Sequence, residues 1–291
     1  MGKRLVKGLL GRIGVLALVK EVIFIIRKRL YDKEKPVNLV VKDGNVFNLS
    51  RHNNVESRVF SPEGFEKHLC FLFSRIVGDG HNVLDVGANC GLHTVGFAKS
   101  AGSEGKVWAF EPVLYSFEKL QLNLAINGLS NTVCVNAALG ESKTTVKMNV
   151  AKPDSFYLGN SSIVKNEKYD SLDATGELDI LDVKMLTIDE YFSSQEVERL
   201  DFIKIDVEGY EISVLKGAIA TLEKFKPVIV MEYSQSRLAH LGVDESDFST
   251  ILRGYTCYEI VGSRYRSENY ALVPYNFDRK MSFADLLCVP K

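Results

Sequence analysis

From residue 82 onward, short apolar runs alternate with longer stretches in which apolar residues recur at helical spacing. The runs lie at 82–87, 106–110, 132–136, 201–206, 227–233, 256–261 and 286–289. The helical stretches lie between them, at 91–101, 114–127, 210–225 and 247–252. This alternation predicts an α/β fold with a mostly parallel sheet, right-handed crossovers and helices on both faces. With 291 residues, 46% of them hydrophobic, the chain is long enough to bury a full core of this kind.

The segments outside this alternation suggest a domain organisation. Residues 38–49 form a hairpin signal, two apolar stretches around an Asp-Gly turn. Residues 62–77 predict a helix. We therefore expect a hairpin and a helix over 31–80 and the main domain over 81–291. Within the main domain, residues 151–182 are polar and poorly periodic, which predicts a long excursion or lid.

Residues 1–30 combine basic charge with apolar residues at helical spacing. They carry eight lysine and arginine residues against one glutamate and predict a basic amphipathic helix. Such a helix suits the anionic surface of a membrane. Packing on the rest of the chain or an oligomer contact is a second interpretation, and a true span or signal anchor is a third. The uncharged stretch 13–19 is shorter than the ~20 residues that a span needs.

Charge and cysteine content narrow the functional classes. The whole chain has a formal net charge of −1, so its basic N-terminus is attached to an acidic body. A nucleic-acid partner needs a basic face on that body, and we therefore exclude nucleic acid as the main partner. The five cysteines are far apart and form no CxxC pair. This pattern fits neither a disulfide framework nor a zinc ribbon and predicts reduced thiols in the cytoplasm.

The turn after the first apolar run, Asp85 to Gly91, reads DVGANCG. Ligands of doubly wound sheets bind at the carboxyl ends of the strands, so this turn is a candidate ligand site. Its glycines allow a tight turn and a close approach to a ligand. It lacks the middle glycine of GxGxxG, which admits a pyrophosphate. A ligand without phosphates, whose amino-acid end lies near the carboxylate, suits the turn better. A purely structural turn is the alternative.

The turns after the second and third runs suggest a nucleoside. Glu111 and Pro112 follow the second run, where an acidic side chain can accept both hydroxyls of a ribose. NAD and S-adenosylmethionine both carry such a ribose, so Glu111 does not choose between them. Asn136 and Ala137 follow the third run, and Asn136 is predicted at the adenine edge.

Carboxylates cluster after the fourth and fifth runs. The fourth run ends in KIDVEGYE, which contains Asp206, Glu208 and Glu211. Glu211 is interpreted as a helix start, where negative charge is favoured. Asp206 and Glu208 lie where a reacting group would bind, and Glu232 adds a carboxylate at the end of the fifth run. These three side chains are therefore predicted at the reaction edge of the sheet.

Motifs in a fixed order carry a family resemblance. They are DVGANCGLHT, AFEP, NAALG, DFIKIDVEGYEISVLKGA and PVIVMEYS. In this order they resemble the FkbM family of S-adenosylmethionine-dependent methyltransferases, over roughly residues 55–290. The resemblance implies a Rossmann-like, seven-stranded class I methyltransferase sheet, mostly parallel with its last strand antiparallel, and helices on both faces. It also implies methyl transfer to a hydroxyl oxygen of a sugar, a macrolide-type natural product or another small molecule.

The resemblance further implies roles for the site residues. It assigns the first turn to the methionine end of the donor, Glu111 to the ribose and Asn136 to the adenine. The predicted donor-binding residues are Asp85, Gly87, Ala88, Asn89, Gly91, Glu111, Pro112, Asn136, Ala137 and Asp206.

Methyl transfer to a hydroxyl needs a base, because a hydroxyl is a weak nucleophile. Asp206 is the first candidate, followed by Glu208 and Glu232, and His93 near the start of the first helix is the least favoured. In an alternative with a metal, Asp206 and Glu208 or Glu232 bind Mg²⁺ and lower the pKa of the hydroxyl. No third ligand is marked in the sequence, so no metal site is predicted.

These observations predict a cytoplasmic O-methyltransferase, held at the inner face of a membrane if residues 1–30 bind lipid. The preferred acceptor is a sugar hydroxyl of a glycan or glycolipid precursor, and a macrolide-type natural-product hydroxyl is the main alternative. An NAD-dependent oxidoreductase is disfavoured by the missing glycine. A non-catalytic, membrane-associated binding protein is disfavoured by the intact acidic edge.

Overall fold

In the computed structural model, the described residues are 40–42, 44–50, 53–60, 65–152, 161–163, 178–241, 246–262, 270–277 and 282–291. The predicted basic helix over 1–30 lies outside them, as does most of the predicted excursion over 151–182. Among the described helices, none combines the length and the apolar character that crossing a bilayer requires. The division into 31–80 and 81–291 stays a prediction.

The strands of the described residues belong to three sheets. In chain order they are β1 (Val40–Lys42), β2 (Asn45–Phe47), β3 (Asn82–Val86), β4 (Lys106–Phe110), β5 (Thr132–Val135), β6 (Ala138–Leu139), β7 (Thr144–Ala151), β8 (Ser162–Ile163), β9 (Leu178–Leu186), β10 (Phe202–Ile205), β11 (Val228–Ser234), β12 (Tyr255–Gly262), β13 (Tyr270–Tyr275) and β14 (Phe283–Pro290). The first two form the predicted antiparallel hairpin, with Val40 opposite Phe47.

The helices of the described residues lie mainly between strands of the central sheet. In chain order they are α1 (Asn54–Ser57), α2 (Lys67–Ile76), α3 (Leu92–Ala101), α4 (Leu114–Ile126), α5 (Ile188–Ser193), α6 (Glu211–Lys216), α7 (Ile219–Phe225), α8 (Gln235–Leu241) and α9 (Ser246–Ile251). A 3₁₀ turn, Arg58–Phe60, follows α1 directly.

Eight strands form the main sheet, in the order β13-β12-β14-β11-β10-β3-β4-β5. The strands from β11 to β5 run parallel, and β14 runs antiparallel between β11 and β12. The predicted mostly parallel sheet with an antiparallel last strand is therefore confirmed. Strand order reverses between β3 and β10, and the cleft at the carboxyl ends of these strands is the expected ligand position.

The main sheet has one strand more than the predicted seven. The additional strand, β13, pairs with β12 at the edge of the sheet and contains Pro274. A proline is tolerated there because an edge strand does not need every N–H group for pairing. Most of β13 is exposed. It therefore lacks the buried apolar pattern from which a strand is predicted.

A second sheet of four strands, in the order β6-β9-β7-β8, lies between β5 and α5 along the chain. Its long antiparallel pair is formed by β7 and β9, with Thr144 opposite Met185 and Ala151 opposite Leu178. The predicted excursion or lid, residues 151–182, overlaps this sheet. Of its described residues, Ala151, Ser162–Ile163 and 178–182 lie in strands, and 178–182 are largely exposed, which fits their polar sequence.

Helix α2 begins later than predicted. It begins at Lys67 rather than at residue 62, after Glu66, whose φ of 38° is left-handed. Residues 61–64 lie outside the described part of the chain. Within the described residues, Phe65 and Glu66 precede the helix, and the helical prediction is confirmed from Lys67 to Ile76.

The helix predicted over 210–225 is divided into α6 and α7 at Gly217. A Cβ atom on Gly217 would lie 2.0 Å from the carbonyl oxygen of Gly140, which directly follows β6. The backbone between β6 and β7 thus packs against the point where α6 ends. This contact between distant residues explains why helical periodicity alone did not show the break.

Alternate residues of the central strands point to opposite faces of the main sheet, as the pleat requires. Val83 and Phe202 belong to the apolar core on one face, and Leu84 and Ile203 to the core on the other. The first core is covered by α2, α3 and α4, and the second by α5 to α9. The predicted placement of helices on both faces is confirmed.

Candidate active site

A cavity of about 270 Å³ opens at the carboxyl ends of β3, β4, β10 and β11. Its volume lies near the lower end of the range for small-molecule sites, roughly 300–1,000 Å³. The predicted site residues that line it are Gly87, Ala88, Asn89, His93, Glu111, Pro112, Ala137, Asp206, Glu208 and Glu232. Asp85, Gly91 and Asn136 are not among its lining residues in the described part of the chain.

The turn after β3 approaches the end of β10 very closely. Gly87 has a φ of 79°, and a Cβ atom there would lie 1.9 Å from the carbonyl oxygen of Asp206. Asn89 and Gly91 also have positive φ, 50° and 87°. Only glycine fits at position 87, because a side chain would meet both an unfavourable backbone conformation and a neighbouring backbone atom.

Asp85 lies beneath this turn rather than in the cavity. Its carboxylate is fully buried and accepts a hydrogen bond from the hydroxyl of Thr94 at 2.6 Å. Its other oxygen lies 3.4 Å from Nζ of Lys204. The contact of Asp85 with the methionine end of the donor stays a prediction, and the geometry gives this residue a supporting position.

Glu111 joins the turn after β4 to the turn after β3. Its Oε2 accepts the backbone N–H of Asn89 at 2.8 Å, and its Oε1 accepts that of Val113 at 2.8 Å. Burial raises the pKa of Glu111 to about 7, although the two backbone donors lower it. Each oxygen of a carboxylate has two acceptor positions, so this group can still accept the two hydroxyls of a ribose.

The residues after β5 divide between the cavity and the surface. Ala137 is buried and lines the cavity. Asn136 is exposed, and its side-chain amide donates to the carbonyl oxygens of Glu111 at 2.9 Å and of Pro112 at 3.0 Å. Asn136 therefore braces the backbone that carries Glu111, and its contact with an adenine stays a prediction.

Asp206, Glu208 and Glu232 line one part of the cavity, at the ends of β10 and β11. Asp206 is the most accessible, with 40% of its side chain exposed against 21% for Glu208 and 16% for Glu232. Burial raises the pKa of Glu208 to about 7. Burial and the nearby carboxylates of Asp206 and Glu208 raise the pKa of Glu232 as well. Of the three, Asp206 is thus the carboxylate most open to an acceptor.

Arg237, from α8, was not identified from the sequence. Its guanidinium pairs with both Glu208 and Glu232. No motif marks this residue. It lies in the helix that directly follows β11, and the pairing of β10 with β11 brings Glu208 within its reach. The Mg²⁺ alternative needs Asp206 with Glu208 or Glu232 as ligands. In the described part of the chain, no group of three or more His, Cys, Asp or Glu residues is arranged to hold a metal ion.

Lys204, from β10, was also missed as a site residue. Its Nζ lies 3.4 Å from Oδ1 of Asp85 and 3.4 Å from Oδ2 of Asp206, and it donates to the carbonyl oxygen of Gly87 at 3.1 Å. Burial opposes its charge, but Asp85 and Asp206 outweigh burial and raise the pKa of Lys204. A lysine within the apolar run DFIKID is a usable sequence signal, because a buried ammonium requires a carboxylate partner.

His93 lines the cavity, but both of its ring nitrogens already have partners. Nε2 lies 3.0 Å from Oε2 of Glu66, and Nδ1 lies 3.9 Å from Sγ of Cys70. Burial disfavours the imidazolium, but the hydrogen bonds with Cys70 and Glu66 outweigh it and raise the pKa of His93 to about 10. This pairing disfavours His93 as the base, and its role stays a prediction.

Glu211 begins α6, as the sequence predicted. Its Oε1 accepts the backbone N–H groups of Val207 at 3.2 Å and of Gly209 at 3.1 Å. Burial raises the pKa of Glu211 to about 7. The side chain therefore fixes the loop between Asp206 and α6.

Residues 85–255, more than half of the chain, match the family described as Methyltransferase FkbM domain. Methyltransferase sdnD of Sordaria araneosa is 29% identical over 187 residues, which cover 57% of this chain and 70% of that protein. Hexuronic acid methyltransferase AglP of Haloferax volcanii is 29% identical over 168 residues, which cover 58% of this chain and 59% of that protein.

A solved structure is also similar, namely methyltransferase FkbM from Methylobacillus flagellatus KT. It has 19% identity and a TM-score of 0.43, and the match covers 72% of this chain and 43% of that one. The chain thus spans less than two thirds of the length of both AglP and this protein.

Proposed function

Because the chain belongs to the Methyltransferase FkbM domain family and is an S-adenosylmethionine-dependent methyltransferase, we propose that it methylates a sugar hydroxyl in a glycan or glycolipid precursor. One observation carries the proposal, namely that Glu111 and Asp206 line the same cavity. Glu111 suits the ribose of the donor, and Asp206 suits removal of a proton from the acceptor hydroxyl.

The cavity has features that fit the donor. The backbone of the glycine turn lines the cavity at Gly87, Ala88 and Asn89, within reach of a ligand. Backbone N–H groups orient both oxygens of Glu111. When bound, S-adenosylmethionine supplies a methyl group on a positively charged sulfur, which is a good leaving group. The task of the protein is then to hold the hydroxyl in line with that methyl group and to take its proton.

We assign the base to Asp206. Glu208 and Glu232 are both held by Arg237, and their raised pKa values disfavour their charged forms. Asp206 is the most exposed carboxylate of the three and faces the cavity beside Lys204. A carboxylate oxygen of Asp206 would take the proton of the acceptor hydroxyl as the oxygen–carbon bond forms and the carbon–sulfur bond of the donor breaks, which releases the neutral thioether.

Two observations support a sugar as the acceptor. The carboxylates of this cavity are hydrogen-bond acceptors, and sugar hydroxyls are donors that match them. The relative AglP is named a hexuronic acid methyltransferase. The macrolide-type acceptor remains the second candidate, because Met148 and Ile163 of the second sheet add apolar surface to the same cavity.

A labelled-methyl assay tests this proposal. The full chain is incubated with methyl-labelled S-adenosylmethionine and neutral sugars, uronic acids, a lipid-linked sugar or a macrolide. We expect label in a sugar, in a product that survives alkali, since an O-methyl ether resists alkali and a methyl ester does not. Asp206→Asn should slow transfer at least about a hundredfold, whereas Asp182→Asn, at an exposed position, should not. Label found in the macrolide alone, or in no acceptor, contradicts the sugar proposal.

We further propose that residues 1–30 attach the protein to the cytoplasmic face of an anionic membrane. The proposal is supported by the eight basic residues and the helical apolar spacing of that segment. In a flotation assay, the full chain should float with vesicles containing anionic lipid and remain behind with neutral vesicles. A chain without residues 1–30 should not float. Equal flotation of both chains contradicts the proposal.

A further inference from the structure

Residues 53–60, which we call the N-terminal wall, close one side of the cavity. They comprise the N-cap residue Asn53, α1 and the 3₁₀ turn that begins at Arg58. Asn54, Val55 and Arg58 line the cavity. The wall lies outside residues 85–255, the part that matches the family. A ligand in the cavity therefore meets side chains that the family match does not include.

Buried polar contacts fix the wall in place. Glu56 is 1% exposed, and its two carboxylate oxygens lie 2.8 and 2.7 Å from Nζ of Lys119 on α4. Its backbone N–H donates to Oδ1 of Asn53 at 2.6 Å and caps α1. A buried ion pair with both oxygens engaged holds its partners in a defined geometry. The backbone at Arg58, two residues after Glu56, is therefore held in a defined position.

One face of α4 ties this region to the donor turn. Lys119, Asn123 and Asn127 are four residues apart and share that face. Asn123 accepts the backbone N–H of Asn48 at 2.6 Å through Oδ1, and it donates to the carbonyl oxygen of Cys90 at 2.7 Å through Nδ2. The N-terminal segment and the DVGANCG turn are therefore anchored to the same helix.

Lys204 and Arg237 are already paired with carboxylates of the protein, so Arg58 is available to pair with a ligand. Lys204 lies beside two carboxylates and Arg237 binds two others. Glu66 pairs with His93, and Glu111 is held by backbone N–H groups. Within the described part of the chain, no carboxylate lies within ion-pair distance of Arg58, which is half-buried.

We propose that Arg58 binds a carboxylate of the bound ligand. This inference rests on the proposed function, because both ligands of that reaction can supply the group. The donor carries the carboxylate of its methionine end, and a uronic-acid acceptor carries one on the sugar. A guanidinium binds a carboxylate through two parallel N–H···O hydrogen bonds, and because its planar group is pre-organised, less freedom is lost for each bond formed.

Calorimetry with two donors tests whether Arg58 binds the methionine carboxylate of S-adenosylmethionine. Wild type, Arg58→Gln and Arg58→Lys are titrated with S-adenosylmethionine and with its decarboxylated form. If Arg58 binds the donor, Arg58→Gln should weaken binding of S-adenosylmethionine about tenfold. It should not change binding of the decarboxylated donor, and Arg58→Lys should recover part of the loss. Arg253→Gln, an exposed position far along the chain, is the matched control and should bind as wild type does.

Calorimetry with two sugars tests the second source. In the presence of S-adenosylhomocysteine, the proteins are titrated with a free uronic acid and with the matching neutral sugar. If Arg58 binds the acceptor, wild type should prefer the uronic acid and Arg58→Gln should lose that preference. Binding of S-adenosylmethionine should then be equal in the two proteins.

Two results overturn the inference. One is an Arg58→Gln variant that binds both donors equally less well, because the carboxylate is then irrelevant. The other is the combination of two findings. Arg58→Gln binds S-adenosylmethionine as tightly as wild type does, and wild type binds the uronic acid no better than the neutral sugar. Circular dichroism and thermal unfolding establish that each variant is folded. If wild type fails to bind S-adenosylmethionine, the proposed function is contradicted and the donor cannot supply the carboxylate. This outcome differs from the two results above, in which wild type binds the donor.

Discussion

Gly87 and Asp206 approach so closely that a Cβ atom on Gly87 would lie 1.9 Å from the carbonyl oxygen of Asp206. The first of these residues belongs to the predicted donor turn, and the second carries the proposed base. The donor turn and the strand end that carries the base are therefore in backbone contact, and a side chain at position 87 would displace the backbone of Asp206.

The variant Gly87→Ala should lose both stability and donor binding. We expect a loss of about 2–4 kcal/mol in the free energy of unfolding, from the left-handed backbone and from overpacking against Asp206. Gly128→Ala is the matched control, because Gly128 has a φ of 67° and no heavy atom within 4 Å of an added Cβ. It should lose only about 1 kcal/mol. Equal losses in urea unfolding would refute the role of the close approach.

Donor binding should weaken as the pH falls through 7. The pKa of Glu111 is about 7 in the free protein, and only the charged carboxylate can accept both ribose hydroxyls while it holds two backbone N–H groups. Binding therefore favours the deprotonated form. Between pH 8 and pH 6, the affinity for S-adenosylmethionine should fall about tenfold in calorimetry.

Two variants test whether Glu111, and not another buried carboxylate, causes this pH dependence of donor binding. Glu111→Gln should bind weakly at both pH values and show no such dependence. Glu211→Gln removes a carboxylate whose pKa is also about 7 but which does not line the cavity among the described residues, and it should keep the dependence. A pH slope that persists in Glu111→Gln argues against this assignment.

Lys204→Met should destabilise the protein strongly. It removes the cation beside Asp85, whose carboxylate is fully buried, and leaves a buried charge without its ion pair. Such losses cost about 3–5 kcal/mol. Lys147→Met removes an exposed pair with Asp182 and should cost less than about 1 kcal/mol. If both variants unfold at the same urea concentration, Lys204 has no such role.

Asp206→Asn should slow methyl transfer by about 10²–10⁴-fold and leave donor affinity nearly unchanged. The reason is that it removes the base but leaves Glu111 and the glycine turn intact. Glu208→Gln and Glu232→Gln should have smaller effects on the rate, because Arg237 already engages both side chains. Rates are compared on the best acceptor of the labelled-methyl panel. A larger loss in either glutamine variant would move the base to that position.

The sequence predicted those features that depend on local pattern. Alternating runs identified the parallel strands, and the position of Glu111 at the end of its strand identified a cavity residue. Asp85 shows where this reasoning stops. It also lies near a strand end, but the pleat turns its side chain toward Thr94 and Lys204, beneath the turn. A position at the end of a strand therefore predicts that a residue lies near the cavity, but it does not predict that the side chain faces the cavity.

The features that the sequence did not show depend on packing between distant segments. Arg237 follows Glu232 by five residues, but its ion pair with Glu208 depends on the pairing of β10 with β11, which no motif marks. The N-terminal wall is a similar case, since Arg58 and Asp206 are far apart in sequence yet line one cavity. Edge strand β13 was missed because it is exposed and contains a proline.

The second sheet has a consequence for how acceptor choice can change. Its strands come from one continuous stretch between β5 and α5, and they give the cavity Leu139, Met148 and Ile163. Glu111, Asp206 and the glycine turn lie outside that stretch. Replacement of residues 138–187 by those of a related protein would therefore exchange this wall of the cavity in one piece. Gly217 must be kept in such an exchange, because a Cβ atom there would lie 2.0 Å from the carbonyl oxygen of residue 140 in the exchanged segment.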